Sequence, residues 1–315
     1  MNTLRRMIVD TDTGADDVWA IVEALRAERV VKVEAITAVC GNLPLDLCVK
    51  NAMLAEDAAG TYFPPVYRGM ERPILRKTSF YAQNVHGKDG LGNMHLPWPD
   101  RPVEHKHAVT AIIDIVMRAP HEIEIATCGP LTNLAMALLL EPRLAANIKK
   151  VWILGGSAGG SGNMTPKAEY NIYVDPEAAS IVLHAGMDTT WVTWDSSRGE
   201  TEITLAELEQ MQGSDDSAAR FCARCVKTLR AYQKEQYGRD TLGVIDSMLM
   251  TTALYPEIQE GAFPANCAID TAPGEFRGFF RIDRSDRADS ANCTVCPRVH
   301  AAQYKEHLFS LLGVH

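Results

Sequence analysis

Four carboxylates lie within eight residues near the start of the chain, in the sequence DTDTGADD at residues 10–17. Because a short apolar run precedes them, we expect them at the end of a buried strand, where solvent screens like charges poorly. A hard divalent cation would neutralise them, and oxygen ligands without adjacent histidine or cysteine favour Ca²⁺ or Mg²⁺ over Zn²⁺. The alternative is that these acids only cap backbone amides at the start of the next helix.

Three further polar clusters follow predicted strands. They are Gly41-Asn42, the sequence CGPLTN at residues 128–133, and the glycine-rich sequence GGSAGGSGNMTPKAEYN at residues 155–171. The last lacks the Gly-Lys-Ser/Thr ending of a phosphate-binding loop, whereas its Asn163, Glu169 and Asn171 side chains suit the hydroxyl groups of a sugar. Taken singly, each of these residues is equally well explained as a turn or a cap. Together they predict one polar rim.

The elements that would position these clusters alternate between short apolar runs and helical patterns. Strands are predicted at residues 7–9, 31–39, 123–127, 151–154 and 190–193, and helices at residues 18–26, 109–118, 131–140, 206–211 and 218–232. This alternation is typical of an α/β fold with an open, mainly parallel sheet and flanking helices. Ligands bind such sheets at the carboxyl ends of the strands. With no linker or repeat in the sequence, we expect a single domain over residues 1–315.

The composition argues against several classes of protein. The 315 residues are 46% hydrophobic and 23% charged, as in ordinary globular proteins, and the net charge is −9 with no basic block. Disorder and binding to nucleic acid or to an anionic membrane are therefore not expected. The first residues lack the apolar region of a signal peptide, and no apolar stretch reaches the roughly 20 residues that span a bilayer. We expect a soluble, cytoplasmic protein with reduced thiols.

Two CxxC pairs, Cys222/Cys225 and Cys293/Cys296, formally allow a zinc site with four thiolates. Their long separation is unlike that of a zinc ribbon. The first pair also lies in a helical pattern, in which residues three apart share a face. Packing of small apolar side chains is therefore the favoured interpretation.

The chain resembles the inosine-uridine-preferring nucleoside hydrolase family in an ordered series of motifs. They are DTDTGADD, Gly41-Asn42, HGKDGLGN at residues 86–93, CGPLTN, the segment 163–171 running into VDPEAA, and a late Asp246. Each motif is weak alone, but the ordered set is specific and extends from about Met7 to near the carboxyl end. The resemblance implies a Rossmann-like fold, a homodimer or homotetramer, and hydrolysis of ribonucleosides to ribose and free base, as in purine and pyrimidine salvage.

The resemblance also implies how the reaction is carried out. Ca²⁺ would be held by Asp12, Asp17, Asp246 and the backbone carbonyl of Cys128, and Asp12 would be the general base for a Ca²⁺-bound water. Cleaving the C–N bond builds positive charge on the ribose, which nearby carboxylates stabilise. Asp10 would orient the acidic loop without binding the metal itself.

The contacts to the sugar follow from the same resemblance. Asp16, Asn42 and Asn171 would contact the 2′- and 3′-hydroxyls. Asn163 and Glu169 would hold the 5′-hydroxyl. Clamping the hydroxyls in this way orients the anomeric carbon toward the water.

Activation of the leaving base is where the chain departs from the family pattern. The best-known members have a histidine immediately before the late aspartate and another group has a tryptophan, whereas this chain has Ile245. Isoleucine neither donates a proton nor stacks as an aromatic ring. His86 is the candidate proton donor, with a purely structural hydrogen bond as the alternative. Three further side chains could approach the base, namely Tyr232, Gln236 and Tyr237. The alternative, which is the more common one, is that they are ordinary residues on the surface of a helix.

Two other functions compete with nucleoside hydrolysis. A phosphatase of the haloacid-dehalogenase type is suggested by a strand followed by Asp10-Thr11-Asp12. That motif expects threonine or valine where this chain has Gly14, and it has no counterpart of Asp16-Asp17. A non-catalytic nucleoside or ribose binder is suggested by Ile245. A binder, however, has little need for the full set of acids that would position a water on a metal.

Overall fold

The computed structural model describes residues 4–77, 79–285 and 291–314. Its strands are β1 (Arg5–Thr11), β2 (Val31–Ala38), β3 (Val66–Arg68), β4 (Ile123–Thr127), β5 (Lys150–Leu154), β6 (Thr189–Val192), β7 (Gln259–Glu260), β8 (Phe263–Ile269), β9 (Phe280–Asp283), β10 (Cys293–Cys296) and β11 (Arg298–Val299). Its helices are α1 (Asp17–Arg26), α2 (Leu45–Ala59), α3 (Gln83–His86), α4 (Ala108–Arg118), α5 (Thr132–Leu140), α6 (Leu144–Asn147), α7 (Tyr170–Val174), α8 (Pro176–Leu183), α9 (Leu205–Gly213), α10 (Ser217–Cys225), α11 (Lys227–Tyr237), α12 (Ile245–Leu254) and α13 (Ala301–Leu311). Short 3₁₀ turns occur at Trp194–Ser197, Gly199–Thr201 and Pro256–Ile258.

Nine of these strands form one sheet, in the order β3-β2-β1-β4-β5-β6-β10-β8-β9. Every pair from β3 to β10 is parallel, whereas β8 runs antiparallel to both β10 and β9. The predicted α/β fold with a mainly parallel sheet is therefore confirmed. The antiparallel strands at one edge, and the short pair of β7 and β11, were not predicted from the sequence.

The strand order reverses at β1, which places a crevice beside it. From β1 the chain moves outward to β2 and β3, and it then returns to place β4 on the other side of β1. At such a reversal the crossovers lead away in opposite directions, so a crevice opens at the carboxyl ends of the two strands. The acidic loop after β1 and the loop after β4 that contains Cys128 both lie at this position.

The side chains of β1 alternate between two cores. Met7 and Val9 pack with residues of α1, α2 and α12, whereas Ile8 packs on the other face with Ile125 and Ile153. Successive side chains of a strand point to opposite faces, so a continuous apolar run indicates a strand that is covered on both sides. This burial explains why the central strands were recognisable from the sequence.

One predicted helix is wrong in its extent. The sequence predicts a helix over residues 218–232, but the structure has two, α10 and α11, which meet at Val226 with ψ of 7°. The loop at residues 87–92 packs against this break, since a Cβ atom on Gly92 would lie 2.7 Å from the carbonyl oxygen of Cys225. The apolar periodicity continues through Val226, and no glycine or proline marks the change of direction.

The cysteines pack as small apolar residues. All eight are free and buried. Trp19 Nε1 donates to the carbonyl oxygen of Cys222 at 2.9 Å, and the Cys225 thiol donates to the carbonyl oxygen of Ala15 at 3.1 Å. Within the described ranges the two CxxC pairs do not come together as one cluster of metal ligands. Among the same residues, no helix combines the length and the apolar character that crossing a bilayer requires.

Glu23 on α1 gives the fold a pH-dependent stability. It is fully buried, and it accepts a hydrogen bond from Thr251 Oγ1 of α12 at 2.6 Å through Oε2, while Oε1 has no partner. Burial raises the pKa of Glu23 to about 8. The unfolded chain releases this proton near pH 4.5, so the contribution of Glu23 to stability is complete below that pH and is lost as the pH rises to about 8.

We therefore expect the Tm of a Glu23→Gln variant to rise steadily relative to that of the parent from pH 5 to pH 8. Glutamine carries no charge, so the variant does not lose stability by burying a carboxylate as the pH rises. Thermal unfolding of both proteins across this pH range measures the difference. Glu28→Gln is the matched control, since Glu28 is exposed just beyond the same helix, and its Tm difference should not vary with pH. A pH-independent difference for Glu23→Gln would contradict the assignment.

Candidate active site

A cavity of about 550 Å³ opens at the carboxyl edge of the parallel strands. Ten residues were predicted to bind the metal or the sugar or to act in catalysis, and eight of them contribute to its wall, namely Asp16, Asn42, His86, Cys128, Asn163, Glu169, Asn171 and Asp246. The other two, Asp12 and Asp17, are fully buried among the loops beneath it. Residues far apart in the chain are thus brought together, as the predicted polar rim requires.

The acidic loop after β1 is held by its own hydrogen bonds. Thr11 Oγ1 donates to Asp17 Oδ1 at 2.6 Å, and the Gly14 amide donates to Asp17 Oδ2 at 2.8 Å. Asp17 also begins α1, where a carboxylate is favoured by the helix dipole. These bonds hold the loop before the helix, whereas α1 has no side-chain hydrogen bond at its N-cap, so capping does not account for the acids Asp12 and Asp16.

Asp12 lies between two glycine backbones. Its Oδ2 atom accepts the Asn42 amide at 2.6 Å, and its Oδ1 atom is buried with no hydrogen-bond partner among the residues that the structure describes. A Cβ atom on Gly41 would lie 2.7 Å from Asp12 Cγ, and one on Gly129 would lie 2.6 Å from Asp12 Oδ1. Only glycine allows the chain to approach the carboxylate so closely. The glycines of the Gly41-Asn42 and CGPLTN motifs therefore fix the position of Asp12.

The late aspartate joins this cluster from the opposite side. Asp246 lies in the first turn of α12 and is buried. Single ligand atoms of Asp17, Cys128 and Asp246 all lie within 4.8 Å of one another, which makes them a possible metal site. Three separate elements, α1, the loop after β4 and α12, supply these residues.

Repulsion among the acids shows that the cluster needs a counter-charge. The pKa values of Asp12 and Asp246 are raised well above their usual range, first by burial and then by the charge of Asp17. Burial also raises the pKa of Asp16 to about 6, and its Oδ1 atom has no hydrogen-bond partner. Unpartnered carboxylate oxygens that repel one another fit a hard divalent cation.

Cys128 offers this cation an oxygen more readily than a sulfur. Burial, and then the charges of Asp246 and Asp17, raise the pKa of its thiol well above the usual value, and a hard cation prefers oxygen to sulfur. Its carbonyl oxygen accepts Asn171 Nδ2 at 2.8 Å and has a second lone pair for another contact.

Asp10 acts as a brace beneath the cluster. Its Oδ2 atom accepts Thr37 Oγ1 at 2.6 Å and Asn133 Nδ2 at 2.8 Å. Asn133 in turn donates to the Ala38 carbonyl at 3.1 Å and accepts the Met70 amide at 2.8 Å. These bonds tie together β1, the end of β2 and the start of α5. The orienting role that the resemblance implies for Asp10 stays a prediction.

The asparagine amides and the glutamate at the rim of the cavity already make hydrogen bonds within the protein. Glu169 is the N-cap of α7 and accepts the amides of Asn171 at 2.9 Å and Gly156 at 3.2 Å, and burial raises its pKa to about 7. Asn163 Oδ1 accepts the Tyr170 amide at 2.8 Å, and Asn42 Nδ2 donates to Asp17 Oδ2 at 3.3 Å. These bonds fix the orientation of groups whose contacts to ribose remain predictions.

His86 is neutral and already engaged at one ring nitrogen. Its Nδ1 atom accepts the Ala15 amide at 3.2 Å and lies 3.6 Å from Asp16 Oδ1. Burial lowers the pKa of His86 to about 4, so the contact with Asp16 is not an ion pair at neutral pH. The remaining ring proton is therefore on Nε2. Proton donation by His86 to a leaving base stays a prediction.

The other end of the cavity is aromatic and carries a cation. Of the three side chains considered for contact with the base, Tyr232 and Tyr237 line the cavity, whereas Gln236 is not among the lining residues. The sequence analysis missed Trp194 and Arg198, which also line it. The sequence contains one indication of them, which is that both follow residues 190–193, the last predicted strand. Ligand-binding residues commonly follow the strands of a parallel sheet.

The fold and the site together define a class: an α/β protein with a buried acidic cluster below a cavity that suits a sugar and a planar ring. Comparison with known proteins identifies it further. The chain belongs to the inosine-uridine preferring nucleoside hydrolase family, whose model matches residues 7–306. It is therefore a hydrolase of N-ribosyl bonds that acts on ribonucleosides, and neither a phosphatase nor a non-catalytic binder.

Individual relatives agree with this assignment. The inosine-uridine preferring nucleoside hydrolase of Leishmania major is 35% identical over 266 residues, which cover 80% of this chain and 82% of that protein. A solved plant nucleoside hydrolase is 30% identical with a TM-score of 0.92, over 98% of this chain and 99% of that one. A purine-preferring ribonucleoside hydrolase from Gardnerella vaginalis is 26% identical with a TM-score of 0.90, over 98% of each chain.

Proposed function

We propose that the chain hydrolyses the N-glycosidic bond of ribonucleosides with the help of one Ca²⁺ ion held by Asp12, Asp17, Asp246 and the Cys128 carbonyl. The observation that carries the proposal is the unpartnered, buried Oδ1 atom of Asp12 within a cluster of mutually repelling acids. A cation supplies the missing partner, and oxygen ligands favour Ca²⁺. When bound, Ca²⁺ lowers the pKa of water and orients it beside the anomeric carbon.

Asp12 is the proposed general base. Its carboxylate is held by the Asn42 amide, and Gly41 and Gly129 restrict its movement, so the attacking water would meet it in a fixed position. Asp12 therefore takes the proton of the attacking water as the ribose develops positive charge.

The rim residues hold the ribose in our proposal. Asp16, Asn42 and Asn171 contact the 2′- and 3′-hydroxyls next to the acidic cluster, and Asn163 and Glu169 contact the 5′-hydroxyl. All five line the same cavity. Because hydrogen bonds within the protein already hold four of these side chains, those of Asn42, Asn163, Glu169 and Asn171, the ribose meets a largely preorganised surface.

The 5′ position should distinguish nucleosides from nucleotides. We expect uridine and inosine to be cleaved at least about 10²-fold faster than their 5′-monophosphates, since a phosphate would face the Glu169 carboxylate. Chromatographic detection of free base at equal substrate concentrations measures the ratio. Faster turnover of a monophosphate than of its nucleoside would contradict this placement of Glu169.

His86 is the proposed donor to the leaving base: its neutral ring offers a hydrogen bond from Nε2–H, and transfer of a proton uses the imidazolium form, which the lowered pKa makes a minor species at neutral pH. We expect His86→Ala to slow uridine hydrolysis by about 10²-fold or more, the usual effect of a positioned acid, and to leave p-nitrophenyl riboside nearly unaffected because its leaving group needs no proton. Initial rates on the two substrates test this directly. Equal losses on both would mean that His86 only holds the loop at Ala15 and Asp16.

The remaining expectations concern the protein as a whole. We propose a single domain over residues 1–315, a homodimer or homotetramer, and a cytoplasmic role in the salvage of purines and pyrimidines. Light scattering during size-exclusion chromatography tests the assembly, since each chain contributes 34.6 kDa. A mass equal to one chain would contradict it.

A further inference from the structure

Arg198 stands out at the aromatic end of the cavity. It follows the 3₁₀ turn at Trp194–Ser197, and its guanidinium carbon lies 4.0 Å from the ring centroid of Trp194 and 4.4 Å from that of Tyr237. All three side chains line the cavity. Contacts with two aromatic rings hold a guanidinium in place without neutralising its charge.

The charge of Arg198 is not used by the protein itself. Within the described ranges its guanidinium has no ion-pair partner and no hydrogen-bond acceptor, and its contacts are with the two rings. Glu202 is the acidic residue of the cavity wall that lies nearest to Arg198 in the sequence. Its carboxylate already accepts hydrogen bonds from Arg239 Nη1 at 2.8 Å and Thr241 Oγ1 at 2.5 Å. An unpaired cation in a cavity wall is available to a ligand.

Arg198 is also fixed relative to Ile245. Ile203 and Leu242 exchange two backbone hydrogen bonds of 2.8 Å, and Gly243 packs so closely that a Cβ atom on it would lie 2.8 Å from the Ser197 carbonyl oxygen. These contacts join the segment that begins at Arg198 to the segment that ends at Ile245. Arg198 and Ile245 both line the same cavity. Arg198 therefore places a positive charge in the wall in which Ile245 provides no proton donor.

We propose that Arg198 stabilises the departing base by donating a hydrogen bond to one of its carbonyl oxygens, an inference that rests on the proposed function. The bond between C1′ and the base nitrogen breaks, and its electron pair moves into the base, where a carbonyl oxygen gains negative charge. The water oxygen bonds to C1′ and gives its proton to Asp12. The base takes up a proton as it leaves, from solvent at the cavity mouth or from the imidazolium form of His86, and ribose and neutral base are the products.

The chemistry of arginine sets the limits of this role. A guanidinium stays protonated, so Arg198 acts by charge and hydrogen bonding and not as an acid. It offers only donors, so it favours bases that present a carbonyl oxygen at this position over bases that present an amino group there. Arg198 is therefore a catalytic and specificity-determining residue for bases such as uracil or hypoxanthine.

The test compares leaving groups of different stability in an Arg198→Gln variant. We expect kcat/KM for uridine to fall by about 10²-fold, the scale seen when one donor to a developing negative charge is removed. The loss should be smaller for 5-fluorouridine, whose base is a better leaving group, and within about threefold for p-nitrophenyl riboside. Arg143→Gln is the control for net charge, because Arg143 is exposed and pairs with Glu141 away from the cavity.

The outcomes separate this inference from the proposed function. If the parent protein releases no base from any nucleoside, the proposed function fails. If the parent is active and Arg198→Gln loses the same factor on all three substrates, Arg198 only supports the wall, and the inference is overturned. It is also overturned if the variant impairs only the cleavage of 5′-monophosphates, because the guanidinium would then serve a phosphate.

Discussion

An Asp246→Asn variant is expected to lose uridine hydrolysis by at least about 10³-fold and to lose its bound metal, since about 4 kcal/mol of transition-state stabilisation is a modest share of what a catalytic metal provides. Asparagine keeps the size of the side chain but removes one of the charges that bind the ion. Asp246 is buried and within reach of both Asp17 and Cys128, so another residue cannot easily take its place. Rates and metal content, measured on the same preparation, check the prediction.

Metal-free stability provides the control for this variant. Without the ion, burial and then the charges of Asp17, Asp16 and Asp12 raise the pKa of Asp246, so its ionised form is disfavoured in the folded state. Neutral asparagine avoids that cost, and the metal-free variant should unfold at the same temperature as the metal-free parent or above it. Inactivity together with a lower metal-free Tm would point to misfolding. Full activity with normal metal content would contradict the site.

A Gly41→Ala variant tests the site by displacing Asp12 without altering any charge. The new Cβ atom would lie 2.7 Å from Asp12 Cγ and 2.9 Å from Asp12 Cβ, so the aspartate must move. A shift of about 1 Å in a reacting group costs about 10²-fold in rate, and we expect at least that loss in kcat for uridine. Steady-state kinetics at saturating Ca²⁺ measure it.

Gly213→Ala is the matched control for this substitution. Gly213 is the last residue of α9, and nothing lies within 4 Å of a Cβ atom added there. Alanine at that position should leave kcat unchanged and stabilise the helix slightly. If Gly41→Ala is as active as Gly213→Ala, Asp12 does not occupy the position on which the proposed reaction depends.

The parts of the fold that the sequence predicted are those buried on both faces. β1, β4 and β5 each contain a short, mostly apolar run, which Glu124 interrupts in β4, and the helices that alternate with them have a clear helical apolar period. α2 was not predicted, because Asn51 and Glu56 are buried on its core side and interrupt the apolar pattern. β8 and β9 were missed because each leaves residues partly exposed, and β8 contains Pro264.

The acidic side of the site was predictable because its residues form motifs. Asp12, Asp16 and Asp17 are adjacent in the sequence, and the glycines that hold Asp12 belong to the same set of motifs. The aromatic end of the cavity was not predictable from the sequence. Trp194 and Arg198 become notable only in the folded chain, where α11, which follows the break at Val226, places Tyr237 against Arg198. Long-range contacts of this kind leave no periodic signal in the sequence.

Removal and return of Ca²⁺ is the measurement that tests the central claim most directly. The protein is treated with a chelator, and the release of uracil from uridine is followed as Ca²⁺ is added back. Four buried acids that repel one another predict that the chelated protein is inactive and that one Ca²⁺ ion per chain restores the full rate. A chelated protein that cleaves uridine at the original rate would contradict the account.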